Sequence, residues 1–156
     1  MIRKVLSVAL VIFWMGFIFS FSGSEGDDSS SLSRDLLVKV IEVVTPYNEG
    51  DEKLESIVEV LHFPFRKLAH FTIYFILGML VVNMFLAFNL PKYYILYSVV
   101  ICIGYAISDE IHQMFTDGRV GSIADVLLDS SGSCIAIYLT NIFIKFRGRS
   151  EKSISK

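Results

Sequence analysis

Four long apolar runs constrain this chain more than any other feature of its sequence. Each run is close to the roughly 17–25 residues that an α-helix needs to cross a bilayer. The chain has 156 residues, of which 53% are hydrophobic, and they are concentrated in the runs instead of recurring at the periods of a soluble core. The sequence therefore predicts an all-α, four-helix transmembrane bundle in a single domain over residues 1–156. The predicted spans are residues 5–21, 68–88, 93–107 and 122–144.

The first run follows Arg3 and Lys4, so a cleaved signal peptide is the alternative to a membrane span. The run is longer than the roughly 7–15 apolar residues that are usual for a signal peptide. It also ends on the bulky side chains of Phe17, Phe19 and Phe21. We therefore interpret it as an uncleaved first transmembrane helix.

One long polar connection, residues 22–65, separates the first two spans. Apolar residues recur in it at helical spacing, first from Leu32 to Val44 and again from Leu54 to Leu61. This pattern predicts two short amphipathic helices that lie on the bundle or at the lipid interface. Pro64 is well placed to begin the next helix, because its missing N–H would have no helical partner there anyway.

The basic residues predict the orientation in the membrane. With four spans, the N-terminus, the turn at 89–92 and the tail at 145–156 share one side, which holds eight Lys and Arg residues and one acid, Glu151. The other side holds the acidic 22–65 connection and the loop after the third run. Because cytoplasmic segments carry an excess of Lys and Arg, we predict a multi-pass plasma-membrane protein with both termini in the cytoplasm.

Ionisable and polar residues occur at one depth, near the predicted outer ends of three spans. Residues three or four positions apart share a face of a helix, so the three polar faces are predicted to converge on a common pocket. The predicted ligand-binding residues are Arg66, Lys67, His70 and Tyr74 near the second span, Asp109, Glu110, His112 and Gln113 after the third, and Arg119, Asp125 and Asp129 around the start of the fourth.

Two pairs of small residues predict close contacts between helices within the membrane. Gly104 with Ser108, and Gly132 with Ala136, stand four positions apart. Small residues at this spacing let helix backbones approach closely, as membrane packing favours.

The polar residues admit a structural and a functional explanation. An ion-pair network that locks the bundle is the structural one, although desolvation often offsets the attraction within buried pairs. Ionisable residues inside a membrane are a functional-site hypothesis by default. The leading hypothesis is a non-enzymatic pocket for an anionic ligand, either a membrane lipid or a lipid-linked envelope precursor, because the guanidinium groups of Arg66 and Arg119 suit phosphate and carboxylate. No nucleic-acid partner is predicted.

An enzyme is the second hypothesis, namely a membrane-embedded, metal-assisted hydrolase or transferase that acts on an envelope lipid. Its candidate catalytic residues are Asp109, Glu110 and His112, and its candidate metal ligands are His70, His112, Glu110 and Asp125. No spacing selects one metal, so the sequence names no cofactor. A third hypothesis is a small transporter or flippase subunit, for which a homodimer would supply the second half.

Three motifs that follow in order make the chain resemble the VanZ-like family of bacterial integral membrane proteins. They are Arg66-Lys67-Leu68-Ala69-His70-Phe71-x-x-Tyr74, Ser108-Asp109-Glu110-Ile111-His112-Gln113 and Gly118-Arg119-x-Gly121-Ser122-x-x-Asp125-x-x-x-Asp129. The resemblance covers nearly the whole chain and departs from the family at Asp129, where the family often has Asn. It implies an envelope membrane protein whose namesake is associated with teicoplanin resistance, and it supplies no mechanism.

Overall fold

Every regular element in the computed structural model is an α-helix, over the residues that it describes, 1–23, 28–48, 50–89, 91–115 and 121–154. The helices are α1 (Ile2–Gly23), α2 (Asp28–Val44), α3 (Glu52–Ala87), α4 (Tyr94–Gln113) and α5 (Ile123–Ile154). Four segments are long and apolar enough to cross a membrane, namely Ile2–Ser22, Glu52–Ala87, Tyr94–Gln113 and Ile123–Arg147. The predicted all-α class and the four spans are confirmed.

The four long helices pack around one apolar core. Its buried side chains include Ile18 of α1, Leu77 and Val81 of α3, Cys102 of α4 and Ile137 of α5. These residues lie within the apolar part of each span, where helices in a bilayer are held together by close packing rather than by exclusion of water. The core therefore ties all four spans into one bundle.

Neighbouring ends of the helices show how the spans are arranged. The ammonium group of Lys4, at the start of α1, lies over the ring of Phe88, at the end of α3, 5.2 Å from its centroid. At the opposite end of the bundle, Gln113 of α4 donates a hydrogen bond to Ser22 of α1. Thus α1 and α4 run in one direction and α3 in the other. Helix α5 runs with α3, because Ser122, immediately before α5, donates a hydrogen bond to Glu110 near the end of α4. This is the arrangement that the predicted four-span order requires.

Helices α3 and α5 approach each other most closely at two glycines. A Cβ atom on Gly78 would lie 2.5 Å from the carbonyl oxygen of Ser133, and one on Gly132 would lie 2.6 Å from the carbonyl oxygen of Phe71. Both distances are too short for any other residue type without a shift of backbone. The predicted close packing at Gly132 and Ala136 is confirmed, and Gly78 is its counterpart on α3.

The predicted contact at Gly104 and Ser108 is wrong for this single chain. Both residues are exposed on α4, and a Cβ atom on Gly104 would meet nothing within 4 Å among the described residues. Small residues permit a close approach but do not specify which helix approaches.

Pro64 does not begin a helix. It lies within α3, which is continuous over 36 residues from Glu52 to Ala87, so the second predicted amphipathic helix is the first part of a membrane helix. An internal proline leaves the carbonyl of the residue four positions earlier, Val60, without its helical donor. Pro64 and Val60 are both exposed, where water or lipid headgroups can hydrogen-bond to that carbonyl.

A small second core forms where α2 packs against the first part of α3. It consists of Leu37 and Ile41 from α2 and Leu54 and Val58 from α3, all of them buried. A salt bridge between Arg34 and Glu55 lies at its edge. Helix α2 and the first turns of α3 therefore form a helical hairpin beyond the apolar part of the bundle.

Replacing Leu54 by alanine should release α2 from this hairpin. Leu54 is 0% exposed, and truncating a fully buried leucine costs about 2–5 kcal/mol. Local opening exposes backbone amides, so hydrogen exchange of α2 should accelerate by at least about tenfold while α4 and α5 remain protected. The control is Leu61→Ala, because Leu61 is 42% exposed in the same helix. Equal protection of α2 in the wild type and Leu54→Ala would contradict this assignment.

Candidate functional site

Polar side chains from four helices meet at the end of the bundle opposite the chain termini. We call this group the polar cluster. It consists of Ser22 from α1, Arg66, Lys67, His70 and Tyr74 from α3, Asp109, Glu110, His112 and Gln113 from α4, and Ser122, Asp125 and Asp129 from the start of α5. Of the predicted site residues, Arg119 lies outside the described residues.

Asp109 is the centre of the polar cluster. Its side chain is 1% exposed, and its Oδ2 accepts hydrogen bonds from the Tyr74 hydroxyl at 3.0 Å and from the Gln113 amide at 3.2 Å. Gln113 also donates to the hydroxyl of Ser22. Asp109 and Gln113 stand four positions apart, so one face of α4 supplies both. The network joins α1, α3 and α4 around a single carboxylate.

Glu110 contacts the start of α5, and not the hydrogen-bond network around Asp109. Its carboxylate accepts a hydrogen bond from the backbone N–H of Ser122, immediately before the first residue of α5. The first N–H groups of a helix have no intrahelical acceptor, and the positive end of the helix dipole favours a negative charge there. Glu110 of α4 therefore caps the start of α5 and fixes the two helices to each other.

Two further carboxylates of α5 face basic side chains of α3. Lys67 forms a salt bridge with Asp125, and both side chains are 23% exposed. One turn deeper, Nδ1 of His70 lies 3.9 Å from Oδ2 of Asp129. The predicted convergence of the α3 and α5 polar faces is thus present in the structure, with the acids and bases opposite each other.

His112 and Arg66 lie at the edges of the polar cluster. The His112 ring stacks on Phe19 of α1, with 3.8 Å between the ring centroids. Arg66 is half-buried near the start of the membrane part of α3. His112 therefore contacts α1, as Gln113 does, while Glu110 on the same helix contacts α5.

Several buried polar atoms of this region have no hydrogen-bond partner within the described part of the chain. They are Nε of Arg66, Oδ1 of Asp109, Nδ1 of His112, Oδ1 of Asp129 and Oγ of Ser130. Buried polar atoms in proteins are nearly always paired, so each exception requires an explanation. Here the exceptions include a donor, on Arg66, and two carboxylate acceptors. Water or a polar ligand that offers both kinds of group would satisfy them.

The candidate catalytic residues face three different neighbours. Asp109 bonds to Tyr74, Glu110 to the backbone of Ser122, and His112 stacks on Phe19. The candidate metal ligands are similarly separated: among the described residues, no three His, Cys, Asp or Glu side chains are arranged to hold a metal ion. Asp125, one of these candidates, is paired with Lys67 instead.

Ser22 is a member of the polar cluster that we did not predict from the sequence. It is fully buried, and it accepts the hydrogen bond through which the network reaches α1. Its position at the end of the first span, at the same depth as Gln113, was the available signal. A serine is too common at the end of a membrane helix for that signal to stand out.

Comparison with known protein families gives a match that covers most of the chain. A sequence model of the VanZ/LLP1 family matches residues 7–144, which include most of the first and fourth membrane spans, all of the second and third, and the whole polar cluster. No curated protein and no solved structure matches the chain.

Proposed function

The chain belongs to the VanZ/LLP1 family, and we propose that it is a cell-envelope membrane protein that binds an amphiphilic, lipid-linked ligand in the polar cluster. In this proposal the polar cluster faces outward, and binding there contributes to resistance against the glycopeptide teicoplanin. The protein acts as a binding protein, without a catalytic step.

The distribution of charge supports this orientation. Near the chain termini, the charged side chains that the structure describes are all basic, namely Arg3, Lys4, Lys92, Lys145 and Arg147. The acidic side chains that the structure describes lie in α2, in or just before the first part of α3, and in the polar cluster, and Glu151 of the tail is not among them. By the excess of Lys and Arg in cytoplasmic segments, the termini are cytoplasmic and the polar cluster is extracytoplasmic.

The single observation that carries the proposal is the set of unpaired buried atoms. The Nε of Arg66 requires an acceptor such as a phosphate or carboxylate oxygen, whereas Oδ1 of Asp109 and Oδ1 of Asp129 require donors such as a hydroxyl or ammonium group. Within the described residues, the ion pairs of the polar cluster leave these atoms without a partner, so they are available to a ligand. A headgroup with anionic and donor groups together complements them, and a simple anion does not.

The surroundings of the polar cluster favour a ligand with an apolar part. Leu68 of α3 and Ile123 and Leu127 of α5 are exposed, and each is one or two sequence positions from Lys67, His70 or Asp125. In a membrane these side chains contact acyl chains, so a ligand anchored in the bilayer can enter from the side. Teicoplanin carries an acyl chain and acts at the outer face of the membrane. Lipid-linked envelope precursors are amphiphilic in the same way, with a polar headgroup and an apolar chain.

Replacing Arg66 by glutamine should abolish the resistance that the wild-type chain confers on a susceptible bacterium. The change removes the charge-assisted donor and leaves a neutral polar side chain that is equally compatible with a helix, so α3 remains intact. The measurement is the minimal inhibitory concentration of teicoplanin, with the amount of membrane-inserted protein determined in the same cells.

The matched control is Lys53→Gln. Lys53 is also basic and lies on α3, but its ammonium group is 5.7 Å from the ring centroid of Tyr47, away from the polar cluster. Its replacement should leave resistance unchanged. Full resistance in cells that carry Arg66→Gln would refute the role of Arg66, and the same loss in both variants would show that only the overall charge matters.

A further inference from the structure

A groove between α3 and α5 opens at the end of the bundle that carries the chain termini. Its volume is about 950 Å³, within the range of ligand pockets in proteins. Apolar side chains form most of its wall, among them Met79 and Leu86 of α3 and Leu139 and Phe143 of α5. Because this wall belongs to segments that span the membrane, we expect acyl chains of the bilayer to occupy the groove.

Two arginines lie at the rim of the groove, although they come from opposite ends of the sequence. Arg3 belongs to the first turn of α1, and Arg147 is the last residue of the membrane-spanning segment of α5. Guanidinium groups bind phosphate oxygens in a bidentate fashion, which lysine does not achieve. The groove therefore combines an apolar wall with a pair of phosphate-binding side chains.

Two polar side chains interrupt the apolar wall of the groove. Asn83 of α3 and Thr140 of α5 both line the groove. Asn83 is exposed one turn before the end of α3, on a helix face that meets lipid. An amide in contact with hydrocarbon is costly unless it finds a hydrogen-bond partner. The ester carbonyls of a phospholipid lie at this depth, between the phosphate and the acyl chains.

From this arrangement we propose that the groove binds one anionic phospholipid from the leaflet that contains the chain termini. The phosphate lies between Arg3 and Arg147, the glycerol esters accept a hydrogen bond from Asn83, and an acyl chain lies along Leu139 and Phe143. The site is at the opposite end of the bundle from the polar cluster and does not depend on the proposed function.

Native mass spectrometry of the full chain in mild detergent, titrated with phosphatidylglycerol or phosphatidylcholine, tests the proposal. The wild type should bind phosphatidylglycerol at least about tenfold more tightly than phosphatidylcholine. The double variant Arg3→Gln/Arg147→Gln should lose about tenfold or more of that affinity, because each basic residue near a phosphate contributes appreciably. Equal binding of the two lipids by the wild type would overturn the proposal.

Two matched controls separate this groove from a general attraction to basic residues. Lys92→Gln/Lys145→Gln removes the same charge from the same side but changes no residue that lines the groove, so binding should stay within about twofold. Leu139→Trp fills the groove without a change of charge and should weaken binding, whereas Ile135→Trp, one turn away on exposed α5 surface, should not. Equal loss in both members of either pair would overturn the proposal.

Discussion

Replacing Gly132 by alanine is expected to reduce the free energy of unfolding by about 1–3 kcal/mol, the usual cost of overpacking a well-packed contact. The added Cβ atom would lie 2.6 Å from the carbonyl oxygen of Phe71, and backbone cannot move aside as a flexible side chain can. Gly78→Ala should have the same effect, since its Cβ atom would lie 2.5 Å from the carbonyl oxygen of Ser133. Thermal unfolding in detergent micelles measures both effects.

Gly104→Ala is the control for these two variants. Gly104 also lies within a membrane helix, but its added Cβ atom would meet nothing within 4 Å among the described residues. Alanine is a better helix former than glycine by about 1 kcal/mol, so this variant should be as stable as the wild type or slightly more stable. If all three variants unfold at the wild-type temperature, α3 and α5 are not as close as the structure places them.

Replacing Asp109 by alanine is expected to cost about 2–4 kcal/mol, because it leaves buried donors without an acceptor. Both the Tyr74 hydroxyl and the Gln113 amide donate to Asp109 Oδ2, and the side chain is almost completely buried. Asp109→Asn keeps an oxygen at this position, so its cost should be less than that of alanine. Unfolding in micelles, followed by helical circular dichroism, compares the variants.

Asp125→Ala is the matched control for Asp109→Ala. Asp125 is also paired, with Lys67, but both side chains are 23% exposed. Salt bridges that solvent can reach contribute about 0–1 kcal/mol. A loss of stability in Asp125→Ala as large as that in Asp109→Ala would show that burial does not set the importance of these carboxylates.

The four spans were predictable because each is an apolar run of membrane length, and a hydrophobic run in a bilayer has few alternatives to a helix. The grouping of Asp109, Asp125 and Asp129 at one depth followed from the same four spans, since short turns oblige consecutive helices to reverse direction. The start of α3 was not predictable in this way. Leu54 and Val58 are buried against α2, and this packing stabilises the turns before Pro64 as part of a continuous helix.

Which groups form hydrogen bonds with each other inside the polar cluster could not be predicted from the sequence either. Helical spacing places Asp109 and Gln113 on one face, which the structure confirms, but it does not reveal that Glu110 caps α5 through the backbone of Ser122. That contact depends on how α4 and α5 are offset along the membrane normal, and packing of the whole bundle sets the offset. The prediction of a close helix contact at Gly104 was wrong for the same reason, because a small residue does not identify its neighbour.

The central claim is that the polar cluster binds an amphiphile, and native mass spectrometry after incubation with an envelope lipid extract tests it most directly. The account predicts that the wild type and Lys53→Gln retain one amphiphile that Arg66→Gln has lost, while the phospholipid in the groove between α3 and α5 stays bound in all three. A wild-type chain without such an amphiphile, or equal retention in Arg66→Gln, would contradict the claim.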